Sequence, residues 1–307
     1  MKIAIIGAGA LGSVIGFHLA PVVAITLVDP WSEHVSAINA YGLRCACNGE
    51  EQTRTIPATT DPAHLEPVDV ALITVKAAQT TWAAEVAARL LKPGGVAYTL
   101  QNGLGNAEIL SARLGPYRVG QAVTTLGATL LGPGWVKLAG RGPTTFGAAP
   151  SLSIAYALAN TLRSGGLPAG VSTNLDSLVW GKLIVNVGIN ALTAILRVPN
   201  GALASIPAAA ELVRRAVEEA VAVAHAAGIA LALTDPVAET LAVAQMTAAN
   251  RSSMLQDILR GAPTEIDTIN GAIVREGRRL GVPTPFNAML CDLVKALEAT
   301  APLRVKE

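Results

Sequence analysis

Hydrophobic positions divide the chain into two halves with different patterns. In the first half, short runs rich in β-branched residues, at 2–6, 22–28, 68–75 and 96–100, lack polar alternation. This pattern is typical of strands that are buried on both faces. Further strands or hairpins are predicted at 119–131 and 134–146. After residue 151, alanine-rich segments with helical spacing take over, and they predict helices at 175–196, 207–228, 235–248, 253–260, 265–281 and 285–298.

The change of pattern predicts two domains. Strands that alternate with helices indicate a doubly wound, mostly parallel α/β sheet over residues 1–168, and the long helical segments indicate an all-helical domain over 169–307. We place the boundary at the glycine and proline cluster of residues 165–168. A chain of 307 residues is long enough for two separate cores.

The first strand runs into a glycine motif. The motif reads G-x-G-x-x-G and consists of Gly7, Ala8, Gly9, Ala10, Leu11 and Gly12. In such a motif, the first glycine permits a tight turn, the second lets a pyrophosphate approach the backbone, and the third lets the helix pack on the strand. The motif lies between a strand and a helix, and an acid follows about 20 residues later, so it predicts dinucleotide binding. The alternative is a glycine-rich turn that binds nothing.

That acid is Asp29, at the end of the second predicted strand. A carboxylate here accepts hydrogen bonds from the ribose 2′-OH of NAD and repels the 2′-phosphate of NADP. No Lys or Arg occurs between Asp29 and Arg44, and the sequence therefore favours NAD(H). Alternatively, Asp29 is a cap or turn residue before Pro30.

Two more polar residues follow strands of the same predicted sheet. Lys76 comes after the strand at 68–75, and Asn102 follows the strand at 96–100. Ligands of doubly wound sheets bind outside the carboxyl ends of the strands, so both residues are candidates for cofactor or substrate contacts. Lys76 could equally be an ordinary charged loop residue. Asn102, which precedes Gly103, could serve only as a turn residue with left-handed backbone.

The helix predicted at 175–196 carries three polar residues in an apolar run. Lys182, Asn186 and Asn190 are spaced by four residues, which places them on one helix face over about 12 Å. Burial of a lysine costs free energy unless a polar partner compensates, and two amides on the same face could share a bound polar molecule with it. The alternative is a core helix whose lysine reaches the surface.

Two predicted helix starts are further candidates. Ser253 with Gln256 forms a capping box, and a hydroxyl at a helix start can also bind a carboxylate. Thr264 with Asp267 forms a second box that leaves Glu265 in the first turn, where a glutamate often does no more than interact with the helix dipole.

Composition excludes several classes of function. The formal net charge is +1, which gives no electrostatic case for nucleic acid or for an anionic membrane. The three cysteines do not make a disulfide framework, and we expect reduced thiols in a cytoplasmic protein. No metal-ligand spacing occurs, and no histidine lies in the motifs. Residues 3–28 carry no Asp, Glu, Lys or Arg, but their glycines favour strand, turn and helix over a targeting segment.

Several motifs, taken in order, resemble the ketopantoate reductases (2-dehydropantoate 2-reductases) over nearly the full length. They are GAGALG at 7–12, VKAAQ at 75–79, QNGLG at 101–105, WGKLIVNVGINALTAI at 180–195, SSMLQDI at 252–258 and TEIDTING at 264–271. The resemblance implies a Rossmann-type domain, an all-α domain like the C-terminal domain of 6-phosphogluconate dehydrogenase, and an active site in the cleft between them.

The resemblance also implies roles for individual residues. Lys182 matches the general acid, and Glu265 matches the acid that binds the far hydroxyl of ketopantoate and orients the lysine. Asn186 and Asn190 match substrate-binding amides, and Ser253 matches the residue that holds the substrate carboxylate. Lys76 and Asn102 match positions near the nicotinamide and the substrate.

Asp29 departs from the family, which usually uses NADP(H) and has a basic residue near this position. We therefore expect a 2-oxo acid reductase that forms a D-2-hydroxy acid, with NAD(H) preferred and NADP(H) the family default. The alternatives are an NAD-dependent D-2-hydroxyacid dehydrogenase for branched or aromatic 2-oxo acids, and a dinucleotide sensor without turnover. The expected partner is a small molecule, and the alanine-rich helices could bury a homodimer interface.

Overall fold

The computed structural model describes residues 1–47 and 49–303. The chain forms two compact units, each described by itself below. The first contains Met1–Gln101 and Asn106–Leu175, and the second contains Asn102–Gly105 and Asp176–Glu307. The change of unit near Leu175 falls a few residues after the predicted boundary, because residues 169–172 form a strand of the first unit.

The first unit is built on one mixed sheet. Its strands are β1 Lys2–Ile6, β2 Ala24–Val28, β3 Leu43–Cys47, β4 Glu50–Arg54, β5 Ala58–Thr59, β6 Val68–Ile73, β7 Leu91–Thr99, β8 Val119–Gly132, β9 Trp135–Gly147 and β10 Ala169–Ser172. The order across the sheet is β4-β3-β9-β8-β7-β6-β1-β2-β5, with β10 on β9. From β8 to β5 every pairing is parallel.

Helices cover both faces of the parallel part. They are α1 Ala10–Leu19, α2 Ser32–Tyr41, α3 Thr80–Leu90, α4 Asn106–Leu114 and α5 Leu152–Ser164, with short 3₁₀ turns at Pro62–His64, Ala77–Gln79 and Pro116–Arg118. Helices α1 and α5 contribute to one apolar cluster, and α3 and α4 contribute to another. Two such clusters follow from strands that are apolar on both faces, and they confirm the predicted doubly wound Rossmann-type domain.

An antiparallel hairpin, β8–β9, extends this sheet, as the pattern at 119–146 predicts. Strand β3 pairs with β9 in parallel and with β4 in antiparallel fashion. Cys45 and Cys47 lie on the same face of β3 and are joined by a disulfide, so the expectation of reduced thiols is wrong for this pair. Strand alternation brings residues two apart to one face, which makes this pairing sterically accessible. Cys291 is a buried free thiol.

The second unit is helical in the part that the structure describes. Its helices are α6 Leu175–Leu196, which begins at the last residue of the first unit, α7 Gly201–Ser205, α8 Pro207–Ala226, α9 Pro236–Met246, α10 Ser253–Arg260, α11 Asn270–Leu280 and α12 Pro285–Ala299, followed by a 3₁₀ turn at Ala301–Leu303. One apolar cluster forms its core, to which α6 contributes Leu183, Ile184 and Val187 among others. The all-helical prediction for this domain is confirmed.

Helix α6 is long and apolar enough to cross a membrane by length and composition. However, 67% of its most apolar window is buried inside the protein. This helix is therefore the core of a helical unit, which explains why it carries so few charges.

Candidate active site

The glycine motif forms a tight turn between β1 and α1. Gly7 has a φ of +104°, and a Cβ atom there would lie 2.5 Å from the backbone nitrogen of Val75. A Cβ on Gly12 would lie 2.0 Å from the carbonyl oxygen of Gly7. The Thr74 hydroxyl donates a hydrogen bond to the same oxygen at 2.6 Å. Two of the three glycines are thus required by the packing of the turn itself.

Gly9 is different, because a Cβ there would meet no atom of the chain within 4 Å. Gly9 is also the N-cap of α1, whose first turn has no side-chain cap and no acidic residue. The N-terminal amides of a helix and its dipole favour an anion. An open approach in front of uncapped amides fits a dinucleotide pyrophosphate, and Gly7, Ala8, Gly9, Ala10, Leu11 and Gly12 are the residues that would hold it.

Asp29 lies after β2, as predicted, and also adopts the turn role that was the alternative. Its Oδ1 accepts a hydrogen bond from the backbone N–H of Trp31 at 2.9 Å across Pro30. The two roles are compatible, because a carboxylate accepts several hydrogen bonds. The bond to Trp31 orients the carboxylate that a ribose would meet.

Lys76 and Gln101 follow β6 and β7 in the first unit. Lys76 is exposed and precedes the 3₁₀ turn Ala77–Gln79. The amide of Gln101 donates hydrogen bonds to the Val75 carbonyl at 3.0 Å and to the Thr80 hydroxyl at 2.8 Å. Gln101 therefore fixes the backbone just before Asn102.

Asn102 belongs to the helical unit, together with the three residues that follow it. The left-handed backbone of this loop falls on Gly103, with a φ of +82°, and not on Asn102. The amide of Leu104 donates to the Thr268 carbonyl at 3.0 Å. This backbone hydrogen bond joins the loop to the turn that carries Glu265, and it does not involve the side chain of Asn102.

Lys182, Asn186 and Asn190 lie on α6 with the predicted helical spacing. Asn190 is 5% exposed, whereas Lys182 and Asn186 are half-buried. The same face continues to Thr193, about three turns after Lys182. This face of α6 is consequently polar over four positions within an otherwise apolar core helix.

A hydrogen-bonded chain joins Lys182, Asn102 and Glu265. Nζ of Lys182 donates to Oδ1 of Asn102 at 2.7 Å. Nδ2 of Asn102 donates to Oε2 of Glu265 at 3.2 Å. Glu265 is only 6% exposed. The arrangement holds a cation and an anion on either side of one amide, within the helical unit.

Burial lowers the pKa of Lys182 to about 8, and the nearby Glu265 carboxylate partly offsets this by raising it. Desolvation disfavours the charged ammonium, and an opposite charge favours it. A pKa close to neutral pH suits a group that must both give up and regain a proton.

Ser253 does not cap α10, which corrects the predicted capping box. The N-cap is Ser252, whose hydroxyl accepts from the Leu255 N–H at 3.1 Å. Gln256 instead donates to the Arg251 carbonyl at 2.9 Å. Ser253 is the first residue of the helix and is half-buried. Its hydroxyl is thus not used by the cap.

Glu265 also differs from its predicted position. Helix α11 begins at Asn270, so Glu265 lies in a turn before the helix and not in its first turn. The Glu265 carbonyl accepts from the amides of Thr268 and Ile269 at 3.1 Å. The predicted box of Thr264 and Asp267 is absent as well. The Thr264 hydroxyl accepts from the Ile266 N–H at 3.3 Å, the Thr264 N–H donates to Glu298 at 2.7 Å, and Asp267 pairs with Lys295. The role of Glu265 as a helix-dipole partner is therefore excluded by its place in the turn.

Sequence reasoning missed two residues that support these sites. The Thr193 hydroxyl lies 2.7 Å from that of Ser252 and joins α6 to the start of α10. Thr74 holds the glycine turn of the other unit. The helical spacing from Lys182 could have indicated Thr193, and the end of a buried strand could have indicated Thr74.

The described residues, 1–47 and 49–303, contain no group of three or more His, Cys, Asp or Glu side chains that could hold a metal ion.

Comparisons with known proteins identify the family of this chain. The family model described as "Ketopantoate reductase PanE/ApbA" matches residues 3–151, and "Ketopantoate reductase PanE/ApbA C terminal" matches 174–298. A 2-dehydropantoate 2-reductase of Halobacterium salinarum is 37% identical over 299 residues, which are 96% of this chain and 98% of the relative.

Two solved structures have the same fold. One is a ternary structure of D-mandelate dehydrogenase with NADH and anilino(oxo)acetate, with a TM-score of 0.91, 33% identity, and coverage of 98% of this chain and 100% of the other. The second, a ketopantoate reductase of Ralstonia eutropha JMP134, has a TM-score of 0.90, 35% identity and the same coverage. This chain belongs to the ketopantoate reductase family, a family of nicotinamide-dependent oxidoreductases.

Proposed function

We propose that this chain reduces the ketone of ketopantoate or a related 2-oxo acid to a D-2-hydroxy acid, with Lys182 as the general acid. The observation that carries the proposal is the hydrogen-bonded chain from Lys182 through Asn102 to Glu265. It combines a proton donor whose pKa is about 8 with a buried carboxylate.

In the proposed reduction, Lys182 and Asn102 have separate roles. A bound reduced nicotinamide would supply hydride to the ketone carbon. As negative charge grows on the ketone oxygen, the Lys182 ammonium stabilises it and donates a proton from Nζ. Asn102 restricts the position of Nζ through its Oδ1. Such general acid catalysis contributes about 10²–10⁴-fold in rate.

The substrate contacts are assigned by chemistry. Ser253, at the positive end of α10 and not engaged in its cap, would bind the substrate carboxylate. Asn186 and Asn190 follow Lys182 on its helix face and would orient the 2-oxo acid for attack. Glu265 would accept a hydrogen bond from a hydroxyl at the far end of the substrate.

NAD(H) is the proposed cofactor, on the strength of Asp29. The relative that was solved with NADH supports a nicotinamide cofactor of either kind. The carboxylate of Asp29 would accept from a ribose 2′-OH and repel a 2′-phosphate. Lys76, exposed after β6, is proposed as a further contact of the cofactor.

A second function is an NAD-dependent D-2-hydroxyacid dehydrogenase for branched or aromatic 2-oxo acids. Asp29 favours it, as does the likeness to D-mandelate dehydrogenase. For either function we propose a cytoplasmic enzyme whose partners are small molecules, with a homodimer as the proposed assembly.

A steady-state matrix tests the proposal. NADH and NADPH are each combined with ketopantoate, trimethylpyruvate (ketopantoate without its hydroxyl), 2-oxoisovalerate and phenylglyoxylate. We expect the highest kcat/KM with NADH and ketopantoate. Preference for 2-oxoisovalerate or phenylglyoxylate would support the second function. Tight NADH binding without oxidation by any of the four would contradict both and indicate a sensor.

The role of Glu265 is tested by comparing ketopantoate with trimethylpyruvate in both the wild type and Glu265→Gln. Glu265→Gln alters catalysis by Lys182 to the same extent for both substrates. The ratio of kcat/KM for ketopantoate to kcat/KM for trimethylpyruvate therefore reports only the contact with the far hydroxyl. We expect this ratio to fall about tenfold, the order of one hydrogen bond to a charged group. An unchanged ratio would remove Glu265 from hydroxyl recognition.

The cofactor preference has a matched control. Asp29→Ser should raise kcat/KM with NADPH relative to NADH. Asp61 also accepts a backbone N–H in a turn of the same unit, from Ala63 at 2.9 Å. Asp61→Ser should leave the cofactor ratio unchanged. Equal effects of the two variants would mean that Asp29 acts only through its turn.

A further inference from the structure

A fully buried histidine in the first unit connects the segments that would hold the dinucleotide. His34 lies on α2 with 0% of its surface exposed. Nδ1 of its ring is 3.0 Å from the backbone nitrogen of Gly134, and Nε2 is 3.2 Å from the hydroxyl oxygen of Ser13. Both ring nitrogens are therefore engaged.

The partners fix which nitrogen carries the proton. The Gly134 N–H can only donate, so Nδ1 must accept and the proton lies on Nε2. Nε2–H then donates to the Ser13 oxygen, and the Ser13 hydroxyl donates to the Ala8 carbonyl at 2.6 Å. Three hydrogen bonds in series thus run from the β8–β9 hairpin to the glycine turn.

The same ring supports the segment that follows β2. The rings of Trp31 and His34 are stacked, with centroids 5.1 Å apart and planes 10° apart. The backbone of Trp31 donates to Asp29. His34 is consequently linked both to the turn proposed for the pyrophosphate and to the acid proposed for the ribose.

We propose that His34 is a positioning residue for the dinucleotide, and that it acts only as the neutral ring with its proton on Nε2. The inference rests on the proposed function, since it assumes that the glycine turn binds a nicotinamide dinucleotide. The class of ligand is a dinucleotide with an unphosphorylated 2′-OH. His34 itself does not contact the reacting atoms.

Protonation would break the series at one end. An imidazolium carries a hydrogen on Nδ1 as well, which would face the Gly134 N–H. Burial lowers the pKa of His34, while the Asp29 carboxylate and the Ala8 carbonyl partly offset this. The neighbours from the other elements, Ser13 on α1 and Gly134 in the hairpin, carry no charge. Affinity for the dinucleotide should therefore be full at neutral pH and decline in acid.

The test is the Kd for NADH, measured by fluorescence titration from pH 5 to pH 8, with Tm measured in parallel. His34→Asn keeps an acceptor for Gly134 but cannot reach Ser13, and Ser13→Ala removes the next link. Both should raise Kd at pH 7.5 by about tenfold, as expected for one lost hydrogen bond. His34→Gln restores a donor near the Nε2 position but leaves the Gly134 N–H without its acceptor, so its Kd should match that of the wild type in acid and be independent of pH.

His18 offers a matched control in the same unit. It is 8% exposed, burial lowers its pKa too, and its Nδ1 bonds to the Gly165 carbonyl at 2.8 Å. His18→Gln should lower Tm without changing the Kd for NADH. If His34→Asn and Ser13→Ala also lower only Tm, His34 is merely structural and the inference is overturned. If the wild-type chain binds neither NADH nor NADPH at any pH, the proposed function is overturned as well.

Discussion

The side-chain oxygen of Asn102 accepts a hydrogen bond from Nζ of Lys182 at 2.7 Å, although the two residues are 80 positions apart. Lysine only donates and carboxylate only accepts, so the amide must turn its oxygen to Lys182 and its nitrogen to Glu265. The Asn102 amide thus lies between the proposed acid and the Glu265 carboxylate and contacts both.

Removal of the ammonium should abolish most of the turnover. Lys182→Ala is expected to lower kcat by about 10²–10⁴-fold, the usual contribution of a positioned general acid. The Kd for NADH should not change. Lys295→Ala is the control, because that lysine is 51% exposed on the same unit. Turnover of Lys182→Ala at the level of this control would remove Lys182 from the mechanism.

Reduction should depend on pH through Lys182. Its pKa of about 8 implies that the protonated donor is present below this value and is lost above it, so kcat should fall as pH rises through about 8. Glu265→Gln removes the charge that raises this pKa, and the descending limb should move to lower pH. Glu276→Gln, on the exposed pair with Arg279, serves as the charge-matched control. A descending limb that moves to higher pH in Glu265→Gln would contradict the assignment of this limb to Lys182.

Two glycines of one turn should respond differently to alanine. In Gly12→Ala the new Cβ would lie 2.0 Å from the Gly7 oxygen, and such overpacking costs about 1–3 kcal/mol of folding free energy. Gly9→Ala meets nothing within 4 Å and should unfold at the wild-type Tm. It should nevertheless weaken NADH binding, since the methyl group projects toward the proposed pyrophosphate. Calorimetry and NADH titration distinguish these effects. Wild-type affinity for NADH in Gly9→Ala would contradict the proposal that the pyrophosphate approaches the chain at Gly9.

Adjacent serines should separate stability from substrate binding. Ser252→Ala removes the cap of α10 and should cost about 1 kcal/mol in the free energy of unfolding. Ser253→Ala should leave that free energy within about 0.5 kcal/mol, as for substitutions away from caps and cores, and should raise the KM for the 2-oxo acid. Denaturant unfolding and steady-state kinetics give the two readings. A KM that rises only in Ser252→Ala would reverse the assignment.

The sequence predicts α6 with its bounds and the polar face that carries Lys182, because helical spacing is a local property. It does not distinguish Ser252 from Ser253 as the cap, since either hydroxyl could serve. The contact that decides this, with Thr193, comes from another helix. The sequence places the start of this helix too early, at residue 265. The amides of Thr268 and Ile269 donate to the Glu265 carbonyl in a turn that has helix-like hydrogen bonds but precedes α11.

The hydrogen bond between His34 and Gly134 cannot be predicted from the sequence either, because it joins two different elements. The two residues are 100 positions apart, and no motif relates them. Pairing of β3 with β9 brings the hairpin close to α2, and this pairing is itself a long-range property. Local periodicity therefore predicts elements and faces, whereas the contacts between elements have to be observed.

The segment from Asp29 to Trp31 is the short connection between β2 and α2 of the first unit, and Lys182 and Glu265 lie in the second unit. The residue proposed to select the cofactor and the residues proposed to handle the proton can thus be substituted independently. A laboratory selection at Asp29 is therefore expected to alter the proposed cofactor preference while the proposed proton donor stays unchanged.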